Sequence, residues 1–100
     1  MEIVPITLSA CSRIEQIGKQ CLPIYYKMNQ LLYLYISPNH RLRMIQDSNT
    51  HTIIGFIIYE WLSSRQPETI QICSLAVIPE SRRQGYAQQL LYDLIHNYPK

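Results

Sequence analysis

Two long and almost continuously apolar segments constrain the fold of this chain more than any other feature. They cover residues 52–61 and 69–78 and are rich in the β-branched and aromatic residues that strands prefer. A strand that is apolar on both sides needs cover on both faces of its sheet. The two segments therefore predict an α/β fold in which helices cover both faces of a central sheet.

Shorter signals around these strands give the element order β-α-α-β-β-β-α. Pro5 has no amide hydrogen to donate to a central ladder, so the first strand is expected at a sheet edge. Ser9 is a candidate N-cap of the first helix, and Gly55 within a strand indicates a bulge or a close approach of another backbone. The expected strands cover residues 3–7, 41–45, 52–61 and 69–78, the helices residues 9–20, 26–36 and 85–98, a turn residues 47–50 and a loop residues 63–68.

Composition excludes several classes of protein. A chain of 100 residues with 47 % hydrophobic and 16 % charged residues is expected to form a single domain, residues 1–100, and not a disordered segment. A net charge of +2 gives no argument for nucleic-acid binding. No apolar run reaches the roughly 18 residues of a membrane span, and the N-terminus lacks signal-peptide features. We therefore expect a cytoplasmic protein with neither nucleic acid nor membrane as a partner.

Cysteine and histidine spacing gives no metal signal. The three cysteines are widely spaced and form no ligand pattern with the three histidines. We expect reduced, buried thiols and no metal.

The segment from residue 75 to residue 89 carries the chemistry. An apolar strand is stopped by Pro79, and a loop with Arg82 and Arg83 leads through Gly85 into a helix. The first amides of a helix have no intrahelical partner, and the helix dipole favours negative charge there. Gly85 and the small Ala87 leave room for a ligand at those amides, and the arginines suit phosphate. The segment predicts a phosphate or pyrophosphate site, although an ordinary strand-loop-helix connection with surface arginines is the alternative.

The motif Arg82-x-x-Gly85-x-Ala87 resembles the signature R/Q-x-x-G-x-G/A of the GNAT N-acetyltransferase superfamily, and Val77-x-Pro79 before it strengthens the likeness. The resemblance implies a GNAT-like mixed, mostly antiparallel sheet and acetyl-CoA as the co-substrate. It also implies the residues that contact acetyl-CoA. These are Leu75, Ala76 and Val77 beside the pantetheine arm, and Arg82, Arg83, Gln84, Gly85, Tyr86, Ala87 and Gln88 around the pyrophosphate.

A narrower resemblance concerns the loop at residues 22–26. Its sequence, Leu-Pro-Ile-Tyr-Tyr, is similar to the loop of eukaryotic N-terminal acetyltransferases that act on Met-starting peptides. The likeness implies a pocket for a peptide or protein N-terminus, lined by Leu22, Pro23, Ile24, Tyr26 and, on the long strand, Cys73. The alternatives are a helix break with core aromatics, or an acetyltransferase acting on ribosomal proteins or polyamines.

Two departures from the family pattern leave the catalytic residues open. The position of the group's catalytic Tyr holds Gln71, whose amide side chain cannot act as a base. Glu60 and Glu68 are the nearest carboxylates, and Glu60 and Gln71 are the two weak candidates for catalytic residues. Complete members of the family continue with further strands. The resemblance therefore covers the N-terminal two-thirds of the domain and implies truncation before the C-terminal strands.

Three functions remain open at this point. The first is acetyl transfer from acetyl-CoA to a primary amine that attacks the thioester directly. The second is a truncated, catalytically inactive remnant that binds CoA weakly, and the third is an interaction module unrelated to CoA. The strand 69–78 is expected to pair on one side only, and an unpaired strand edge invites a partner chain or a second copy that completes the sheet.

Overall fold

The computed structural model of the chain describes residues 1–62 and 69–97. The expected loop at 63–68, with Glu68, and the last residue of the expected final helix lie outside the described residues. The elements follow in the predicted order. The strands are β1 (Glu2–Pro5), β2 (His40–Gln46), β3 (Ile53–Leu62) and β4 (Thr69–Val77), and the helices are α1 (Cys11–Cys21), α2 (Met28–Ile36) and α3 (Tyr86–Asn97).

The strands form one antiparallel sheet in the order β1-β2-β3-β4. Pro5 lies in an edge strand, as its missing amide hydrogen requires. In the described part of the chain β4 pairs only with β3, which confirms the expected one-sided pairing. The ladder between β3 and β4 shifts register between Ile58 and Tyr59, so Cys73 is an extra, bulged residue of β4.

Helices cover both faces of the sheet, which confirms the prediction from the apolar strands. On one face α1 packs against β3 and β4, and α2 packs against β2. On the other face α3 packs against β2, β3 and β4, and Arg43 of β2 makes a two-pronged ion pair with Asp93 of α3, at 2.9 and 3.0 Å. Among the described residues, no helix has the length and hydropathy needed to cross a membrane.

Gly55 fulfils both expectations for a glycine within a strand. The ladder between β2 and β3 shifts register between Ile45 and Gln46, next to its pairing position. A Cβ atom on Gly55 would lie 2.7 Å from the carbonyl oxygen of Ala76 in β4. No side chain fits at that distance, so the glycine allows β4 to pack closely against β3.

The starts of the first two helices differ from the sequence-based expectation. Ser9 is not an N-cap, because it lies within a 3-10 turn, Leu8–Ala10, that leads into α1. The second helix begins at Met28 instead of residue 26. The amide of Met28 donates to the Glu15 carboxylate of α1 at 3.1 Å, so a tertiary contact satisfies the helix start.

Candidate active site

The loop between β4 and α3 is shaped by two residues with positive φ. The Ile78 amide still bonds the Ile54 carbonyl at 2.9 Å, and Pro79 then opens a 3-10 turn, Pro79–Ser81. Arg83 has φ 64° and Gly85 has φ 81°. These left-handed conformations turn the chain sharply into α3. Gly85 adopts this conformation without a steric penalty, whereas Arg83 adopts it despite its side chain.

The start of α3 presents free amides to a cavity. The Gln89 amide donates to the Gly85 carbonyl at 3.0 Å, so the amides of residues 86–88 precede the first intrahelical bond. A Cβ on Gly85 would meet no atom closer than 4.0 Å, which leaves open space in front of the loop backbone. A cavity of about 240 Å³, which we call the α3 cavity, occupies this space. Its lining is Val77, Ser81, Arg82, Arg83, Gly85, Tyr86, Ala87 and Gln88.

Arg82 has contacts within the protein that the sequence did not predict. Its Nε donates to the Val77 carbonyl at 3.0 Å, and its amide donates to the Pro79 carbonyl at 3.3 Å. The Cys21 thiol donates to the same Val77 carbonyl at 3.6 Å. The amide of Arg82 is therefore engaged by the loop, and Nε holds the loop on the end of β4. A role in phosphate binding is left to its Nη groups, to Arg83 and to the amides of α3.

The backbone of β4 presents only some of its groups at the free edge. Ile78 bonds Ile54 across the ladder, so by the alternation of an antiparallel pair Ala76 also bonds toward β3, and Leu75 and Val77 point away from it. The contact of the Val77 carbonyl with Arg82 agrees with this orientation. Of the three residues that the family resemblance assigned to the pantetheine arm, Leu75 and Val77 direct backbone groups away from β3, and Ala76 directs its groups toward β3. Contact of all three with CoA stays a prediction.

A second cavity lies on the face covered by α1 and α2. It measures about 270 Å³ and reaches the bulge of β4. Its lining is Ile24, Tyr25, Tyr26, Gln30, Cys73 and Ser74. A neighbouring groove of about 400 Å³ shares Tyr26 and Gln30 and continues along α2 to Tyr33. The two depressions form one path along α2, from solvent to the bulge, which we call the α2 groove.

The residues of the 22–26 loop divide between the α2 groove and the core. Tyr26 and Ile24 line the groove, and the Ile24 side chain is 88 % exposed. Leu22 packs against the core, and Pro23 is exposed without lining either depression. Tyr26 and Cys73 line the same depression, and the Cys73 thiol donates to the Gln71 carbonyl at 3.7 Å. Tyr26 and Cys73 thus lie together on one face, as an acceptor pocket requires, although acceptor binding by these residues stays a prediction.

Two groups in this region have raised pKa values. Burial, followed by the charge and hydrogen bond of Cys73, raises the pKa of Tyr26. Burial is also the main cause that raises the pKa of the Cys73 thiol, and the Glu60 carboxylate adds to it, whereas the Tyr26 hydrogen bond acts in the opposite direction. Both groups are therefore protonated near neutral pH, and neither is suited to be the resting base or a thiolate nucleophile.

The two weak catalytic candidates are cross-strand neighbours. Glu60 of β3 lies directly opposite Gln71 of β4, on the α1–α2 face. Glu60 is also opposite His40 of β2, a residue that sequence analysis did not select, and His40 Nε2 lies 3.9 Å from Glu60 Oε1. The Cys73 sulfur lies within 4.8 Å of ligand atoms of both His40 and Glu60. His40, Glu60 and Cys73 are 13 to 33 positions apart in the sequence, so only the register of three strands brings them together.

Cysteine burial differs from the expectation of buried thiols. All three cysteines are free, as expected, but only Cys11 is buried. Cys21 and Cys73 are half-buried, and each lies at one of the two cavities or its margin. Along β4, the distance from Cys73 to Val77 is about 13 Å at the usual rise per residue. One strand therefore connects the α2 groove with the cavity at α3.

The acetyltransferase (GNAT) family model matches residues 11–99. No curated protein matches the chain. Among solved structures, NAA60 of Arabidopsis thaliana in complex with a bisubstrate analogue superposes with a TM-score of 0.75 at 20 % identity, over 95 % of this chain and 64 % of that one.

Two bacterial enzymes have similar folds. The ribosomal-protein-S18-alanine N-acetyltransferase of Escherichia coli superposes with a TM-score of 0.77 at 15 % identity, over 95 % of this chain and 57 % of that one. The aminoglycoside 6'-N-acetyltransferase AAC(6')-IG of Acinetobacter haemolyticus superposes with a TM-score of 0.79 at 12 % identity, over 96 % of this chain and 70 % of that one. The chain thus spans less than two thirds of NAA60 and of the S18 enzyme. Identities this low establish the shared fold, and the substrates named are those of the other proteins.

Proposed function

This chain belongs to the acetyltransferase (GNAT) family, and we propose that it transfers an acetyl group from acetyl-CoA to the primary amine of a peptide or protein N-terminus. The observation that carries the proposal is the cavity at the start of α3, with its unpaired amides, connected through β4 to the α2 groove. One cavity suits the phosphates of the donor, and the other suits the acceptor.

The donor is held, in this proposal, by backbone groups more than by side chains. The amides of residues 86–88 bind the pyrophosphate at the positive end of the α3 dipole, and the absent side chain of Gly85 gives access to them. Arg83 adds an exposed cationic donor. The edge-facing backbone groups of Leu75 and the amide of Val77 bind the arm of CoA as a further strand would, whereas the Val77 carbonyl already accepts from Arg82 and Cys21.

The reaction follows from this placement. The acceptor amine enters along the α2 groove and attacks the thioester carbonyl beside β4. A nitrogen–carbon bond forms, the carbon–sulfur bond breaks, and CoA leaves as a thiolate that takes up a proton. An edge-facing amide of Leu75 or Val77 polarises the carbonyl oxygen. Glu60 accepts the proton of the amine through water, because the pKa values of Tyr26 and Cys73 are raised and Gln71 has no titratable proton.

The α2 groove favours a peptide N-terminus over a small amine. One end is lined by Tyr33, whose side chain is 71 % exposed, and the other reaches Tyr26 and Cys73 at the bulge, which gives room for an extended chain. Ile24 provides an exposed apolar rim for the first side chain of a peptide. The likeness of the 22–26 loop to N-terminal acetyltransferases supports the same acceptor.

CoA binding is tested with a charge placed in the α3 cavity. Ala87→Glu puts a carboxylate among the phosphate-binding amides, and we expect at least about a tenfold loss of CoA affinity, which is about 1.4 kcal/mol. Stability should not fall, because the first turn of α3 has no acidic residue and an added one favours the helix dipole. The matched control is Gln89→Glu, which adds the same charge at an exposed position outside the cavity lining.

Calorimetry measures the CoA affinity of the wild type, Ala87→Glu and Gln89→Glu. Equal affinities for Ala87→Glu and Gln89→Glu would contradict the pyrophosphate site. Turnover of a mixed N-terminal peptide library with acetyl-CoA then tests the transfer itself. We expect slow transfer by this 100-residue chain, because in its described part β4 is the sheet edge and the CoA arm has one wall.

A second candidate function is CoA binding without transfer. The observation that favours it is Gln71, which has no titratable proton at the position where the resemblance places a catalytic Tyr. The two functions differ in a single measurement. Transfer that requires Glu60 supports the first, and CoA affinity with no transfer above the uncatalysed rate supports the second.

A further inference from the structure

Three neighbouring strands each place one side chain with a metal-binding atom on the α1–α2 face. His40 is the first residue of β2 and lies directly opposite Glu60 of β3. Cys73 is the bulged residue of β4, and the bulge keeps its side chain on this face. The imidazole nitrogen, the thiol sulfur and a carboxylate oxygen all lie within 4.8 Å of one another.

We propose that His40, Glu60 and Cys73 bind a thiophilic divalent cation, with Zn²⁺ as the best match. Cys73 releases its proton to solvent when the metal binds, and the metal-bound state excludes Glu60 from acting as the base of the proposed transfer. Zinc takes imidazole, thiolate and carboxylate ligands together, whereas Mg²⁺ and Ca²⁺ prefer oxygen alone. Tetrahedral zinc with metal–ligand bonds of about 2.1–2.3 Å keeps its ligand atoms roughly 3.4–3.6 Å apart. The observed 3.9 Å between His40 Nε2 and Glu60 Oε1, and the 4.8 Å limit for the set, require only small side-chain adjustments.

A neighbouring hydroxyl fixes the histidine in a suitable orientation. His40 Nδ1 lies 2.7 Å from the Ser37 hydroxyl, and Ser37 itself ends α2, where its amide bonds the Leu34 carbonyl at 3.1 Å. When Nδ1 carries the hydrogen and donates to this hydroxyl, Nε2 keeps its lone pair and faces Glu60. Metal-binding histidines usually have such a support for their second nitrogen.

An ordinary ion pair between His40 and Glu60 does not explain the cluster as well. Their separation of 3.9 Å is too long for a hydrogen bond, so each atom keeps its lone pair for another partner. The side chains are only 15 % and 28 % exposed, in a region where an uncompensated carboxylate is costly. A soft sulfur ligand beside them adds what zinc prefers and what an ion pair does not need. Three protein ligands also leave the fourth position of a tetrahedral site open.

Metal binding is tested on the 100-residue chain with Zn²⁺ alone. Calorimetry should show one Zn²⁺ per chain, and Co²⁺ used as a probe should give the absorption band of a thiolate–cobalt bond. Cys73→Ser and His40→Gln should each weaken Zn²⁺ binding at least about tenfold, since each removes a ligand. The matched controls Cys21→Ser and His51→Gln change the same residue types outside the cluster and should bind as the wild type does.

Thermal unfolding provides an independent reading if a variant folds poorly. Zn²⁺ should raise the melting temperature of the wild type and of both controls, because a ligand that binds only the folded state stabilises it. At the same Zn²⁺ concentration it should raise that of Cys73→Ser clearly less. A wild type without Zn²⁺ binding, or one whose binding survives in both Cys73→Ser and His40→Gln, would overturn the proposal. Neither measurement uses acetyl transfer, so the result does not depend on the proposed function.

Discussion

Arg83→Gly should make the protein more stable and at the same time weaken CoA binding. Arg83 has φ 64°, a conformation that costs an L-residue roughly 1–2 kcal/mol and a glycine almost nothing. Glycine also loses more conformational entropy on folding, which lowers the stability by about 0.5–1 kcal/mol and offsets part of this gain. At the midpoints of these two ranges the net stabilisation is about 0.75 kcal/mol, which raises the melting temperature of a domain of this size by roughly 3–6 °C.

The same substitution removes an exposed cation from the α3 cavity. Arg83 lines that cavity and is solvent-exposed, so its contact with a phosphate is screened and contributes about 1 kcal/mol. CoA affinity should therefore fall about fivefold, and the difference from the wild type should shrink at high salt.

His51→Gly is the matched control for this prediction. His51 is the other described non-glycine residue with positive φ, 61°, and its amide bond to the Asp47 carbonyl at 2.8 Å survives the substitution. It lies in the turn between β2 and β3, outside the lining of the α3 cavity. It should gain similar stability with unchanged CoA affinity. Thermal unfolding and calorimetry would refute the reasoning if Arg83→Gly lowered the melting temperature, or if it bound CoA as tightly as His51→Gly.

Two further predictions concern β4. Gly55→Ala should destabilise the protein by about 1–3 kcal/mol, because the new Cβ would lie 2.7 Å from the Ala76 carbonyl oxygen, and an unchanged melting temperature would contradict this close approach. Glu60→Gln should speed the alkylation of Cys73 by iodoacetamide near neutral pH, because removing a nearby negative charge lowers the pKa of the thiol and enlarges its thiolate fraction. An equal or slower rate would show that the Glu60 carboxylate does not act on Cys73.

The fold was predictable because the signals for it are local and redundant. The strands β3 and β4 are apolar on both faces, which required helices on both faces of the sheet. Pro5 required an edge position for β1. The element order and the loop into α3 were also correct, since Pro79 and Gly85 mark its ends in the sequence itself. The start of α2 was not predicted correctly, because the carboxylate that accepts from the Met28 amide belongs to Glu15 of another helix.

The site was only partly predictable, because its details depend on strand register. Nothing in the residues around Cys73 indicates a bulge, yet the bulge directs both Cys73 and Ser74 into the α2 groove. His40 is 20 positions from Glu60, and only the pairing of β2 with β3 makes them neighbours. The backbone direction of Ala76 depends on the same pairing, since the alternation of the ladder turns its amide and carbonyl toward β3, and its contact with the CoA arm stays a prediction.

The position of Val77 indicates that the two halves of the proposed site cannot be altered independently. Its carbonyl accepts from Arg82 and from Cys21, so one oxygen joins the loop of the α3 cavity to the end of α1. α1 leads directly into the 22–26 loop that lines the α2 groove. A change that moves the end of β4 therefore displaces the donor cavity and the acceptor groove together. Close packing at Gly55 supports the same strand end, because Gly55 lies directly opposite Val77, which lines the cavity at α3.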